Sequence, residues 1–316
     1  MSVMNAPLVS VIITCYNYAE YVDAAISSVL RQTYENLELI VIDDGSTDDS
    51  REIINRYQDK ALIISRANKG IVYSRNEGLR LAKGEYVCFL DADDYFNDDY
   101  ILKSMRVMAE SGADVVYPNW HVVGENEYYT DFADFDVQKL ITQEIHCTVE
   151  SLIRKSAIRK HQYESERVAE DWDFFVGMAL DGKKFQLAKD NYINYRVRKN
   201  TRGSARPYWE DMYIFCELLT KWQSRFPGLV NPFDLPIAVG KRRDEFIEEQ
   251  KKIIDKQTNE IEAKNIEIEH QSLDLSSLRE QLKSIENSKT YAFSASLSKQ
   301  LSLPKALYKK ITLPKK

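Results

Sequence analysis

The feature that most constrains this chain is a repeating alternation: a short apolar run, then a stretch whose apolar residues recur at helical spacing. Leu8–Ile13 is almost continuously apolar, as a strand buried on both faces requires, and Val22, Ala25, Ile26, Val29 and Leu30 follow at the helical period. The same reading predicts strands at Leu37–Ile42, Ala61–Ser65, Tyr86–Leu90 and Asp114–Tyr117. Helices are expected at Asp48–Tyr57, at Ile71–Ala82 closed by Gly84, and at Asp98–Ser111 closed by Gly112. Such alternation implies an α/β fold: a Rossmann-like, mostly parallel sheet with right-handed crossovers, flanked by helices. In sheets of this kind ligands gather at the carboxyl ends of the strands.

The loops at those ends carry the chemistry. Thr14-Cys15-Tyr16-Asn17, Asp43-Asp44-Gly45 and Asp91-Ala92-Asp93 each follow a strand, so all three are expected to line one crevice. Asp91, Asp93 and Asp94 lie within four residues, and carboxylates crowded in this way repel one another unless a positive charge sits among them. Hard oxygen ligands select a hard cation, so the segment predicts a Mg²⁺ or Mn²⁺ site completed by water and a diphosphate. A solvated acidic turn is the plain alternative. EF-hand loops are excluded, because the sixth position is Phe96 or Asp48 and the twelfth is Leu102 or Ile54. No GxGxxG follows the first strand, which counts against a dinucleotide-dependent dehydrogenase.

The net charge of -6 argues against nucleic acid as a partner. Cys15, Cys88, Cys147 and Cys216 form no CxxC pair and the four histidines no HExxH, so buried thiols are expected rather than zinc or disulfides. Met1–Pro7 is too short for a signal peptide and no apolar run has membrane-spanning length, which predicts a cytoplasmic chain.

The segments VSVIITCYN, VIDDGSTDDS and NKGIVYSRNEGLRLAKGEYVCFLDADD, in this order, resemble the nucleotide-binding half of family 2 glycosyltransferases of the GT-A fold. The resemblance covers about Pro7–Ser204. It implies that Tyr16 lies against the base with Thr14 beside it, and that Asp44 accepts the imide N–H of a uracil or thymine, a charge-assisted bond. It places Asp93 on the metal and Asp91 on the ribose or the metal. Arg75, with Asn76 beside it on the preceding helix, suits phosphate or base. Asp43 either shares the binding role or orders the Gly45-Ser46 turn.

Ala169-Glu170-Asp171-Trp172-Asp173 opens a helix, where acids ordinarily complement the helix dipole. The family instead makes the second acid of this Glu-Asp pair, here Asp171, the catalytic base. One carboxylate to take the acceptor's proton and one cation to hold the leaving diphosphate are sufficient for inverting transfer. A glycosidase would need two carboxylates flanking the bond. The family often shows Tyr-Arg-x-His after the base, whereas this chain has Tyr195-Arg196-Val197-Arg198. Arginine cannot ligate a cation, so Arg196 and Arg198 are expected on the diphosphate or on a basic surface strand.

Between Asp114 and Thr148, Trp120, Tyr128, Tyr129, Phe132 and Phe135 alternate with acids, which reads as a sugar surface or an ordinary acidic loop. The expected division is a catalytic domain over 1–206, a helical and proline-containing linker over 207–240, a coiled coil over 241–286 and a basic tail over 287–316. Ile247, Ile254, Ile261, Ile268, Leu275 and Leu282 fall every seven residues, although the companion positions begin with Gln250, Gln257, Lys264 and Gln271. That half-polar seam predicts a homo-oligomer or a partner coil, with a single solvated helix as the alternative. The tail holds seven lysines and no acids among apolar residues, which suits an anionic membrane surface. The expected function is metal-dependent, inverting transfer of a sugar from a nucleotide donor, UDP-linked, to a glycan or lipid-linked acceptor. An inactive domain of the same fold, acting as a scaffold through its coil, is the rival reading.

Overall fold

The computed structural model describes residues 6–124, 127–141, 144–164, 169–197, 217–218, 220–226 and 234–286. The chain divides into two compact units, Met1–Gly240 and Lys241–Lys316. In the first, β1 (Val9–Cys15), β2 (Leu37–Asp43), β3 (Leu62–Ser65) and β4 (Tyr86–Asp91) run parallel in the order β3-β2-β1-β4. The helices between them are α1 (Val22–Leu30), α2 (Ser50–Asn55) and α3 (Ile71–Leu81). β1 is buried along its whole length, so its alternating residues enter two cores. Ile12 joins Ile40, Ile42 and Phe89 on one face, while Val11 and Ile13 join Val41 and Leu90 on the other.

Register brings the predicted loops to one level. Thr14 pairs with Asp91 and Cys15 with Asp43, so β1, β2 and β4 end side by side. Gly78 on α3 fixes how closely that helix lies on the sheet, because an added Cβ would stand 2.5 Å from Ile12 Cγ2. Gly45 is required twice over: its φ is +79°, and an added Cβ would lie 2.6 Å from the backbone nitrogen of Asn68.

The second half of the sheet departs from the parallel expectation. After β5 (Tyr95–Phe96) and α4 (Tyr100–Ser111) come β6 (Val115–Val123), β7 (Tyr128–Tyr129), α5 (Val137–Ile141), β8 (Leu152–Arg154), α6 (Lys155–Ile158), α7 (Glu170–Leu180) and β9 (Phe185–Arg196). The sheet continues β4-β8-β6-β9-β5, with β7 on β6. β8 is antiparallel to both β4 and β6, whereas β9 runs parallel to β6. Three residues are too few to show a period, which is why β8 escaped the sequence pattern.

The C-terminal helix Asp234–Glu286 is continuous for 53 residues. At a rise of 1.5 Å per residue that is about 80 Å. Within it Ile261 and Ile268 are 59% and 62% exposed. No helix among the described residues is long and apolar enough to cross a membrane. Cys15, Cys88 and Cys147 are buried and unbridged. Cys216, Arg198, the basic tail and part of the helical linker expected over 207–240 lie outside the described residues.

Candidate active site

Thr14, Tyr16, Asp44, Arg75, Asp91 and Asp93 all line one cleft of about 450 Å³, and Glu170 from α7 closes it. Five of these six positions, spread over some eighty residues of sequence, meet because three strands end together, and Arg75 is brought to them by α3. Thr14 is nearly buried, whereas Tyr16 is 45% exposed at the rim.

The turn after β2 separates its two acids by task. Asp43 is fully buried; its carboxylate accepts the Ser46 amide N–H at 2.9 Å and the Arg51 Nε–H at 2.8 Å. Burial alone would raise this carboxyl, but the bonds from Ser46 and Arg51 outweigh it and hold the group below the usual carboxylate range. Asp43 therefore orders the Gly45-Ser46 turn. Asp44 lines the cleft: its Oδ1 pairs with Arg66 Nη1 and accepts the Lys69 amide N–H at 2.8 Å, and both of these contacts leave Oδ2 unused. Arg66 also donates to Glu77 and Ser74, both at 2.8 Å. Its position just beyond β3 is the signal that could have singled it out in the sequence.

In the loop after β4, Asp91 and Asp93 line the cleft while Asp94 turns inward. Asp94 is 2% exposed and accepts the Arg196 amide N–H at 2.7 Å. Beneath it lies Glu150, equally buried, whose carboxyl is pushed up to about 8 by burial and by the charge of Asp91. Burial, then Glu150 and Asp93, raise Asp94 well above the carboxylate range. Glu150 sits in an irregular stretch, and no sequence signal marked it. Arg196 meets the loop through its backbone, while its guanidinium lies 4.6 Å from the centre of the Tyr21 ring and 5.6 Å from that of Tyr95. Tyr195 stacks on Trp120 at 5.1 Å. The other aromatics of that stretch divide, since Phe135 stacks on Phe185 beside the core while Tyr128 and Tyr129 are exposed.

The start of α7 faces this loop. Arg75, 4% exposed, donates from Nη2 to Asp91 Oδ1 at 3.0 Å and from Nη1 to Glu170 Oε1 at 2.7 Å. Asn76 does not reach the cleft loops; its amide exchanges hydrogen bonds with the backbone of Tyr163. Glu170 is thus committed to an arginine. Asp171 accepts only the Trp172 amide N–H at 2.8 Å among the hydrogen bonds of the described residues. Burial, then the charge of Glu170, push its carboxyl up to about 6, with Arg75 pulling the other way. Asp173 is structural: it accepts Lys221 Nζ at 2.7 Å and Trp222 Nε1 at 2.9 Å.

A doubly wound nucleotide-binding half, three strand-end loops in one cleft and an acid pair facing them define the glycosyltransferase class of GT-A fold. Residues 10–165 match the sequence profile of Glycosyl transferase family 2. Glycosyltransferase GlyG of Streptococcus pneumoniae is 35% identical over 217 residues, 61% of this chain and 72% of that protein. The Escherichia coli UDP-Glc:alpha-D-GlcNAc-diphosphoundecaprenol beta-1,3-glucosyltransferase WfaP is 40% identical over 117 residues, 36% of this chain and 47% of that one. Among solved structures, Staphylococcus aureus TarS 1–349 with UDP-GlcNAc superposes with a TM-score of 0.59 at 19% identity, covering 74% of this chain and 71% of that one. The Pyrobaculum calidifontis mannosyltransferase PcManGT, with GDP-Man and Mn²⁺, gives 0.56 at 19% identity, over 74% and 69% of the two chains. The chain belongs to glycosyl transferase family 2.

Proposed function

We propose that this transferase moves a sugar from a UDP-linked donor to a hydroxyl of a growing cell-surface glycan, with inversion at the anomeric carbon. The observation that carries this reading is the strand-end cleft lined by Glu170 together with the carboxylate next to that residue, Asp171, which does not itself line the cleft and is raised to about 6. Such a group is ionised at neutral pH yet basic enough to accept a proton. As the acceptor oxygen bonds to the anomeric carbon, its proton passes to Asp171, and the bond from that carbon to the diphosphate oxygen breaks. Glu170, held by Arg75, is not available for that task. Tyr16 and Thr14 hold the base, and Asp44 Oδ2 accepts the imide N–H of uracil.

Asp91 and Asp93 fit a divalent cation of a particular kind. No cluster of three or more His, Cys, Asp or Glu arranged for a metal occurs among the described residues, so the site is not a closed protein cage. Two carboxylates at an open cleft match Mg²⁺ or Mn²⁺, which take the rest of their shell from substrate phosphates and water. When bound, such a cation neutralises the departing diphosphate. The names of WfaP, with UDP-Glc, and of the TarS complex, with UDP-GlcNAc, support a UDP donor. Hydrolysis of a panel of nucleotide sugars, followed by mass detection with and without Mn²⁺, tests the reading. Mn²⁺-dependent release of UDP is expected; no turnover with any donor would favour the scaffold alternative.

The exposed seam of the C-terminal helix supports assembly through a coiled coil, and the lysine-rich tail supports peripheral attachment at an anionic leaflet where a lipid-linked acceptor sits. Sedimentation of the full chain is expected to show an oligomer that Ile261→Asp dissociates. A monomer at high concentration would refute the assembly.

A further inference from the structure

Arg75 touches both sides of the cleft. Its Nη2 holds Asp91, at the end of β4, and its Nη1 holds Glu170, the neighbour of Asp171 on α7. The guanidinium lies 5.5 Å from the centre of the Tyr163 ring, and its Nε is buried without an acceptor. A side chain so enclosed, with its fork divided between carboxylates 79 positions apart, is poorly placed to swing onto a nucleotide. It is well placed as a fixed charge. Without it Asp91, Glu170 and Asp171 would stand together with no other cation paired to them among the described residues, an arrangement that desolvation makes costly.

We infer that Arg75 is a positioning residue, an internal counter-ion that holds Asp91 on the donor side and Glu170 on the base side, so that cation binding and the setting of Asp171 depend on one side chain. The inference rests on the transferase reading. Its physical content is competition. A cation arriving at Asp91 meets an oxygen already engaged by Arg75, so the arginine lowers the affinity of the empty site for metal. Glu170 draws the same guanidinium the other way and relieves that competition. Arg75 and Glu170 should therefore act on metal affinity with opposite signs, which a residue needed only for folding would not produce.

The test is Mn²⁺ binding to the full-length protein without nucleotide, read from the electron paramagnetic resonance signal of the unbound ion. Arg75→Met should bind Mn²⁺ about tenfold more tightly than the parent protein, because the competing charge is gone. Glu170→Gln should bind it about threefold more weakly, because Arg75 then rests on Asp91 alone. Arg75→Lys keeps the charge but cannot span both carboxylates. Its Mn²⁺ affinity should stay within about threefold, while kcat with the best donor falls about tenfold or more at nearly constant KM. Should Arg75→Met fail to fold, the Glu170→Gln and Arg75→Lys results decide alone. Unchanged affinity in Arg75→Met, or a shift in Glu170→Gln toward tighter binding, overturns the inference and leaves the transferase reading intact. A parent protein that binds no Mn²⁺, with or without UDP, overturns the metal part of that reading and this inference with it.

Discussion

The turn after β2 and the start of α7 each set two acids side by side, and the structure treats the two pairs in opposite ways. In the turn, Asp43 receives an amide and a guanidinium and its carboxyl is driven down; at the helix, Asp171 receives one amide beside another carboxylate and is driven up to about 6. Burial acts on both groups in the same sense, so the difference lies in the donors that Asp43 is given and in the Glu170 charge set against Asp171. An acid supplied with donors shapes the chain, whereas one starved of them keeps its basicity for a substrate. Within each pair the roles also divide. Asp44 faces the cleft while Asp43 builds the turn, and Asp171 stays basic while Glu170 is spent on Arg75.

The sharpest way to break this contrast is to remove the proton acceptor. Asp171→Asn keeps the size of the side chain and an oxygen for the Trp172 amide, so kcat should fall by about 10²–10⁴ with UDP affinity nearly unchanged. Near-normal turnover in steady-state assays would move the base elsewhere.

Acid should then separate the two regions without mutation. The raised Asp171 carboxyl is penalised when ionised, and that penalty is released progressively as the pH falls from about 6 toward the ordinary carboxylate value, so protonation costs activity and not stability. Asp43 has the opposite sign: its contribution is complete above the ordinary carboxylate range and is lost only as the pH falls through its lowered value. Between pH 7 and 5 the rate should therefore drop about tenfold, with its limb near 6, while circular dichroism still reports a folded protein. Coincident loss of rate and fold would erase the distinction.

Asp43→Asn gives a smaller effect, located in the fold. It removes a charge paired with Arg51 and weakens the bond to Ser46, which should cost about 1–3 kcal/mol in urea unfolding. A stability unchanged within error would mean that the turn holds itself. Glu150→Gln should do least. A carboxyl raised to about 8 is already protonated at pH 7, so the amide replaces a neutral group and unfolding should shift by under about 0.5 kcal/mol. A large change would show that Glu150 carries its charge in the native protein.

The first four strands were legible because a parallel sheet covered on both faces needs continuous apolar runs, and the loops after β1, β2 and β4 followed from strand order. What pattern could not supply was the partner of each acid. Arg66 reaches Asp44 across 22 positions and Arg75 reaches Glu170 across 95, distances over which periodicity carries no information. The reading of Asp43 stayed divided for the same reason, since its role is decided by Arg51 and Ser46 in space. β8 and Glu150 were silent too, the first for want of length and the second because a buried acid in an irregular stretch looks like a surface one.

Gly78 bears on the chemistry although it touches none of it. It lies one helical turn beyond Arg75 on α3, and the 2.5 Å that would separate its missing Cβ from Ile12 leaves no room for the helix to carry even a methyl group there. The height of α3 over β1 is therefore a fixed length, and Arg75 rides on it with spans of 3.0 and 2.7 Å to its two carboxylates. Tolerance in machine terms passes from a contact between hydrogen and hydrocarbon to an arrangement of charges. A clearance set in the apolar interior becomes the ruler by which the ionic centre is spaced.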